Sequence, residues 1–141
     1  MHLFVYGSLL SSVPSSMSKF LRRRGKLVGK ATTAGRIFDL GQYPGFVAGG
    51  EERVRGELYQ LEEEQMTTTL DMLDAYEGVT GEAEDEYRRI TIDVRVDDGG
   101  EFRAQTYETI RPPAGFEPIA RGDYLAFYRQ NAAHQRFVNG E

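Results

Sequence analysis

The chain has 141 residues, no cysteine and a formal net charge of -5. Its length suits one domain, and the lack of cysteine excludes disulfides, zinc–thiolate sites and thiol nucleophiles. The acidic charge argues against a general nucleic-acid binder, the N-terminus lacks the pattern of a signal peptide, and no segment is apolar over the ~18 residues that cross a bilayer. We therefore expect one domain over residues 1–141, in the cytoplasm and without membrane or nucleic-acid partners.

The N-terminal segment predicts a strand, a turn and a helix. Apolar residues alternate from Leu3 to Gly7, which is typical of a strand, and Gly7-Ser8 then breaks the pattern. Ser15 or Ser16 can cap a helix that Gly25 would end. Its apolar face would consist of Met17, Phe20 and Leu21.

Two long strands and a loop are expected next. Residues 26–40 are rich in Thr, Val, Ile and Phe, which predicts one long strand or two strands separated by a bulge. Residues 41–50 contain many Gly and Pro residues and are predicted to be a loop. A further strand is expected from Arg53 to Leu61.

Residues 62–77 form the clearest predicted helix, which Gly78 would end. Its apolar residues recur at helical spacing, and at about 100° per residue the stripe continues into Glu77. A carboxylate on a buried stripe has a raised pKa and can serve as a general acid/base near neutral pH. From periodicity alone, a helix end that releases Glu77 into solvent is the more frequent outcome. The stripe consists of Met66, Leu70 and Leu73.

The second half predicts a hairpin and a less regular C-terminus. Residues 79–86 are acidic and aperiodic, which favours a flexible loop. Strands are expected at Tyr87–Asp97 and Phe102–Ile110, with a turn at Asp98-Gly99 and a stop at Arg111-Pro112-Pro113.

The C-terminal segment is the least patterned. Residues 122–128 favour a last strand or a short helix, and the tail from about residue 131 is expected to be mobile. The whole order of elements indicates an α+β domain with a mostly antiparallel or mixed sheet, curled into a small barrel.

The turn Tyr6-Gly7-Ser8-Leu9 is a second candidate site. A glycine directly after a strand lets a ligand approach the backbone, and free N–H groups there can bind a carboxylate or a developing oxyanion. A plain connecting turn is the more frequent interpretation of a lone Gly-Ser.

Together, these segments resemble motifs of the gamma-glutamylcyclotransferase superfamily, in its AIG2-like or gamma-glutamylamine cyclotransferase branch. Tyr6-Gly7-Ser8-Leu9 is similar to its YGSL signature, and residues 73–78 (LDAYEG) to its LDxxEG segment, which carries the catalytic glutamate. Residues 54–59 (VRGELY) resemble its V.GxLY strand, and residues 87–89 (YRR) its YxR motif. The motifs occur in the order that the family has.

The resemblance implies a small mixed β-barrel flanked by helices. It implies an enzyme that closes a gamma-glutamyl amine or amide into 5-oxoproline and releases a free amine, without metal or organic cofactor. Glu77 would be the catalytic acid/base. The substrate would be bound by Tyr6, Gly7, Ser8, Leu9, Tyr87 and Tyr107. A monomer or a homodimer is expected.

The sequence gives less support to three other functions. A serine hydrolase would need a base near Ser8, but the sequence has only His2 and His134 and no G-x-S-x-G segment. Two histidines far apart are also poor support for a metal site. The stronger alternative is a non-catalytic module that binds a small molecule or a protein on the same fold, for which Glu77 would have no purpose.

Overall fold

The computed structural model describes residues 1–41, 43–81, 85–110 and 115–138. Within these ranges, five strands close into a barrel with helices around it, which confirms the predicted α+β class. The strands are β1 (His2–Val5), β2 (Gly25–Asp39), β3 (Pro44–Leu61), β4 (Tyr87–Val96) and β5 (Glu101–Thr109). The helices are α1 (Ser16–Arg24), α2 (Met66–Glu77), α3 (Tyr124–Arg129) and α4 (Ala132–Val138).

The barrel is closed by the short strand β1. The strand order is β1-β3-β2-β4-β5, and β1 pairs antiparallel with β3 and parallel with β5. Because β1 and β5 are parallel and β4 is antiparallel to β5, β1 and β5 finish at the end of the barrel where β4 begins. We call this the upper end.

The predicted loop over residues 41–50 is wrong for residues 44–50. These residues begin β3, which pairs with β2 from Asp39 opposite Pro44 onward. Pro44 is tolerated because it is the first residue of the strand. The Gly and Pro content that indicated a loop therefore belongs to a tight hairpin, of which Gln42 lies outside the described residues. β2 is one long strand with register shifts at Leu27/Gly29 and Ala34/Gly35, in agreement with the predicted bulge.

Helix α2 carries the predicted apolar stripe. A short 3-10 turn at Glu63–Gln65 precedes it, and Leu70 and Leu73 are buried. Gly78 ends the helix in the left-handed conformation, with φ 72°, and its N–H donates to the carbonyl oxygens of Asp74 and Ala75. Strand β3 ends beside Met1, at the end of the barrel opposite the upper end. Helix α2 follows it and is about 18 Å long, so Glu77 at its C-terminus lies back at the upper end.

The other predicted elements are also present. Ser15 caps α1 by accepting a hydrogen bond from the Ser18 N–H, and Gly25 follows the last turn. β4 and β5 form the predicted hairpin with its turn at residues 97–100. Within the described part of the chain, no helix is long and apolar enough to cross a membrane.

The C-terminal segment is more regular than its sequence suggests. Residues 124–129 form α3, one of the two options left open, and α4 was not predicted. His134 of α4 is fully buried, with Nε2 2.8 Å from Asp39 Oδ1 and Nδ1 3.1 Å from the Tyr124 hydroxyl. The predicted stop at Arg111-Pro112-Pro113 lies outside the described residues.

Gly56 lets β1 and β3 approach within the barrel. A Cβ there would overlap the Val5 carbonyl oxygen and lie 2.7 Å from Cζ of Phe4. We expect Gly56→Ala to lower the free energy of unfolding by about 1–3 kcal/mol, measured by urea denaturation. Arg55→Ala, at an exposed neighbouring position, is the control and is expected to change it by less than about 0.5 kcal/mol. Equal effects of the two substitutions would contradict this packing.

Candidate active site

A cavity of about 340 Å³ opens at the upper end of the barrel. The strand ends gather there, and the C-terminus of α2 arrives beside them. All the residues singled out from the sequence line this cavity: Tyr6, Gly7, Ser8, Leu9, Glu77, Tyr87 and Tyr107. The fold therefore brings together the glycine turn after β1 and the carboxylate at the end of α2.

The Glu77 side chain is partly buried in this cavity. Among the described residues, no hydrogen-bond donor or cation contacts its carboxylate. Burial raises the pKa of Glu77 from 4.5 to about 7. A carboxylate without a partner in a cavity, with a pKa near neutrality, can both accept and donate a proton under physiological conditions.

Three tyrosines surround this carboxylate, and each directs its hydroxyl proton into the protein. Tyr6 donates to the Tyr107 carbonyl oxygen at 2.8 Å, and Tyr87 donates to the Pro44 carbonyl oxygen at 2.6 Å. Tyr107 donates to Asp74 Oδ1 at 2.6 Å. The phenol oxygens therefore keep only acceptor capacity for a ligand.

These phenols stay neutral at physiological pH. Burial is the main reason why the pKa values of Tyr6, Tyr87 and Tyr107 are raised well above the ordinary value of 10, and the nearby Glu77 charge adds to the effect in each case. The cavity wall is thus polar and electron-rich, and the tyrosines contribute no negative charge of their own.

Asp74 has a structural role that the sequence did not reveal. Helical spacing places Asp74 beside the apolar stripe of α2, at a position where a carboxylate is not expected to be buried. In the structure its Oδ1 accepts the Tyr107 hydroxyl and lies 3.1 Å from Arg89 Nε. Asp74 therefore fixes the Tyr107 ring beside Glu77, and Arg89 balances the charge.

The turn after β1 is held in place by its own hydrogen bonds. The Gly7 carbonyl accepts from the Leu10 N–H at 3.0 Å, and the Ser8 carbonyl accepts from the Ser15 hydroxyl at 2.6 Å. Gly7 is required because a Cβ there would lie 2.9 Å from Cγ of Pro44. Within the described ranges, the N–H groups of Ser8 and Leu9 have no acceptor. They are candidates to bind an anionic or carbonyl oxygen of a ligand.

Sequence reasoning missed the outer part of the cavity. Tyr76 precedes Glu77, and its hydroxyl lies 2.8 Å from Ser8 Oγ. Tyr43 lies in the segment predicted to be a loop, where an aromatic side chain was the one sign of contact with an apolar surface. Glu86 belongs to the acidic segment between Glu77 and Tyr87, and nothing in the sequence indicated Phe137; both residues also line the cavity.

The sequence matches the family described as gamma-glutamyl cyclotransferase, AIG2-like, over residues 3–126. That range covers both motifs that meet in the cavity. The chain belongs to this family. The resemblance inferred from the motifs is therefore confirmed at family level.

Solved structures share the fold of this AIG2-like chain. YtfP from Escherichia coli is 30% identical, with 93% of this chain and 100% of that chain covered and a TM-score of 0.58. An AIG2-like protein from Mus musculus is 24% identical, with 79% of each chain covered and a TM-score of 0.61. YkqA from Bacillus subtilis is 24% identical with a TM-score of 0.65, covering 99% of this chain but 42% of YkqA. The latter two show the fold alone.

Two further findings concern curated relatives and metal ligands. No curated protein matches the sequence. In the residues that the structure describes, no group of three or more histidine or acidic side chains could hold a metal ion.

Proposed function

We propose that this protein is a gamma-glutamyl cyclotransferase that converts a gamma-glutamyl amine or amide into 5-oxoproline and a free amine, with Glu77 as general acid/base. The observation that carries the proposal is the carboxylate of Glu77. It has no partner among the described residues, its pKa is raised to about 7 by burial, and it shares a cavity with the turn at Gly7 and Ser8.

The reaction needs one proton shuttle. Ionised Glu77 takes a proton from the α-ammonium group of the substrate, and the freed nitrogen attacks the γ-carbonyl carbon. The C–N bond to the leaving group then breaks as Glu77 returns the proton to the departing nitrogen. The second proton of the α-nitrogen also passes to the leaving amine, so two protons move in total and Glu77 is regenerated. A positioned acid/base of this kind contributes about 10² to 10⁴ in rate.

The cavity offers complementary groups for the glutamyl end. The α-ammonium group can donate to the Glu77 carboxylate and to the phenol oxygens of Tyr6, Tyr87 and Tyr107. The N–H groups of Ser8 and Leu9 suit the α-carboxylate or the oxyanion that forms at the γ-carbon. Binding both the α-ammonium group and the carboxylate or γ-carbonyl would keep the substrate curled. Intramolecular attack is faster when the reacting groups are held in this orientation.

A direct assay tests the proposal. The protein is incubated with a panel of gamma-glutamyl amines, gamma-glutamyl amino acids and glutathione, and 5-oxoproline is measured by mass spectrometry. Release of 5-oxoproline with an equal amount of free amine is the expected result. Tight binding of panel members without turnover would instead support a binding module.

The pH dependence of turnover follows from the raised pKa of Glu77. The base must be ionised, so kcat/KM should fall about tenfold per pH unit below pH 7, where the carboxyl group becomes protonated. The measurement is kcat/KM between about pH 5 and pH 8, with circular dichroism at each pH to show that the fold persists. A flat profile over this range would contradict Glu77 as the base.

A further inference from the structure

A groove of about 410 Å³ lies on the outer face of the barrel, where the segment 118–122 crosses strands β2 and β3. Val54 and Gly56 of β3 are buried inside the barrel, so the side chains of Arg53 and Arg55 point outward into this groove. None of the described residues that line the groove also lines the cavity at the upper end. The groove is therefore a separate feature of the surface.

The groove is basic although the whole chain is acidic. Arg36, Arg53, Arg55 and Arg121 line it, and Glu52 is the one acid among its described lining residues. We call these four arginines and the space between them the arginine groove. Glu52 Oε2 lies 2.6 Å from Arg36 Nε, but the other three arginines form no ion pair within the described part of the chain. In a chain with a net charge of -5, this arrangement produces a local field that attracts anions.

Arg53 is held in place before any ligand arrives. Its Nη2 donates to the Thr32 carbonyl oxygen at 3.1 Å and to Thr32 Oγ1 at 2.9 Å. In the described ranges its Nε and Nη1 groups have no protein acceptor, so they are available to a ligand. A guanidinium group that is already ordered loses less conformational entropy when it binds an anion.

Arg121 is placed by an unusual backbone conformation. It is the one non-glycine residue with a positive φ in the described part of the chain, at 60°. This conformation is unfavourable for a residue that has a side chain. Gly122 packs so closely on β3 that a Cβ there would overlap the Arg53 carbonyl oxygen. The close packing therefore fixes the segment on the strand and keeps the Arg121 side chain at the groove.

The base of the groove is apolar. Ile37 and Ile119 are almost fully buried beneath it, and Pro118 lies beside them. The Ile119 N–H donates to the Ile37 carbonyl oxygen at 2.8 Å, so these two backbone groups are already paired. The groove thus offers a ligand an apolar surface together with cationic walls, in a volume typical of small-molecule sites, which are about 300–1,000 Å³.

The spacing of the arginines favours more than one anionic group. Arg53 and Arg55 are two residues apart on one strand, which corresponds to about 7 Å. Arg121 adds a third guanidinium group from a different segment. A single phosphate ion would not contact all three, whereas a chain of phosphates would.

We propose that the arginine groove is a second binding site of this protein and takes a nucleoside polyphosphate, a ligand that joins a flat ring system to two or more phosphates. Arg53, Arg55 and Arg121 bind the phosphates, because a planar guanidinium group can give two parallel hydrogen bonds to phosphate oxygens. The ring system lies on the apolar base of the groove. This binding requires neither a gamma-glutamyl substrate nor a reaction in the cavity.

Three probes test the class of ligand. ATP, tripolyphosphate and adenosine are titrated into the native protein by calorimetry, without magnesium, so that the phosphate charge is not neutralised. We expect ATP to bind most tightly, tripolyphosphate about tenfold more weakly because it buries no ring, and adenosine not measurably. The affinity for ATP should fall as salt is added. No binding at about 1 mM ATP, or equal affinities for ATP and either other probe, would overturn the inference.

Substitutions locate the site. Arg55→Gln is expected to raise the dissociation constant for ATP about tenfold, since charge-assisted hydrogen bonds are lost, and the double variant with Arg121→Gln should raise it further. Arg129→Gln is the control, because Arg129 is exposed on α3, outside the groove, and its loss changes the net charge equally. It should alter the dissociation constant less than about twofold. Urea denaturation of each variant shows whether its fold is retained. Unchanged affinity in the folded double variant would refute the site.

Binding in the groove and turnover in the cavity are separate measurements. Glu77→Gln is expected to leave the affinity for ATP within about twofold of the native value, since Glu77 does not line the groove. If no 5-oxoproline forms but ATP binding depends on Arg55 and Arg121, the arginine groove stands and the proposed reaction fails. If 5-oxoproline forms but ATP does not bind, or Glu77→Gln weakens ATP binding as much as Arg55→Gln does, the reaction stands and the arginine groove is refuted.

Discussion

Replacing Glu77 with glutamine is expected to lower kcat/KM for release of 5-oxoproline by about 10² to 10⁴. Glutamine has nearly the shape of glutamate, but its amide cannot take a proton from the α-ammonium group of the substrate. The loss should appear mainly in kcat, since the inner cavity keeps its shape. The measurement is steady-state release of 5-oxoproline at about pH 8.

The matched control is Asp71→Asn on the same helix. Asp71 is exposed and lies outside the cavity, so its substitution removes one negative charge from α2 without touching the site. Its kcat/KM is expected to stay within about twofold of the native value, since surface charges at this distance are screened. Native activity in Glu77→Gln would refute the assignment of Glu77 as the acid/base.

The same Glu77→Gln substitution is expected to stabilise the fold by up to about 3 kcal/mol at pH 8. Burial raises the pKa of Glu77 from 4.5 to about 7, and one pKa unit corresponds to about 1.4 kcal/mol. The ionised carboxylate is therefore less favourable in the folded protein than in the unfolded chain. The value is an upper bound because the side chain keeps some contact with water.

The size of this effect depends on pH in a defined way. Below about pH 4.5 Glu77 is protonated in both states, so it has no effect on stability. Between about pH 4.5 and pH 7 the unfolded chain loses this proton first, so the native protein loses stability as pH rises. Glutamine cannot ionise, and the stability advantage of the variant should grow through this window and then level off.

Urea denaturation of the native protein and Glu77→Gln at about pH 4.5, 6 and 8 measures this difference. Asp71→Asn serves again as the control, because an exposed acid should give no comparable trend. A stability difference that is constant over the three pH values would mean that Glu77 ionises as freely in the folded protein as in the unfolded chain.

Local patterns in the sequence predict the main parts of the site. The helical period of α2 brings Glu77 onto the stripe of Leu70 and Leu73, and the break after β1 identifies the turn at Gly7. The Asp98-Gly99 turn predicts the β4–β5 hairpin. These features depend on neighbours along the chain, which periodicity can capture.

The elements that were missed depend on distant contacts. Helix α4 has seven residues, and its buried anchor is His134, which meets Asp39 from the β2–β3 hairpin. The start of β3 at Pro44 depends on its pairing with β2, which outweighs the local preference for a loop. The link from Asp74 to Tyr107 joins residues that are 33 positions apart. Such contacts leave no trace in a local pattern.

The parallel pairing of β1 with β5 has a consequence for synthesis of the protein on the ribosome. His2 and Leu3 pair with Ala104 and Gln105, and the Tyr6 hydroxyl reaches the Tyr107 carbonyl. After β1 leaves the exit tunnel, it must therefore wait for its partner until residues 104–107 have been translated. This late pairing also brings Tyr6 and Tyr107 together, so a nascent chain that has not closed its barrel lacks the cavity that these two tyrosines line.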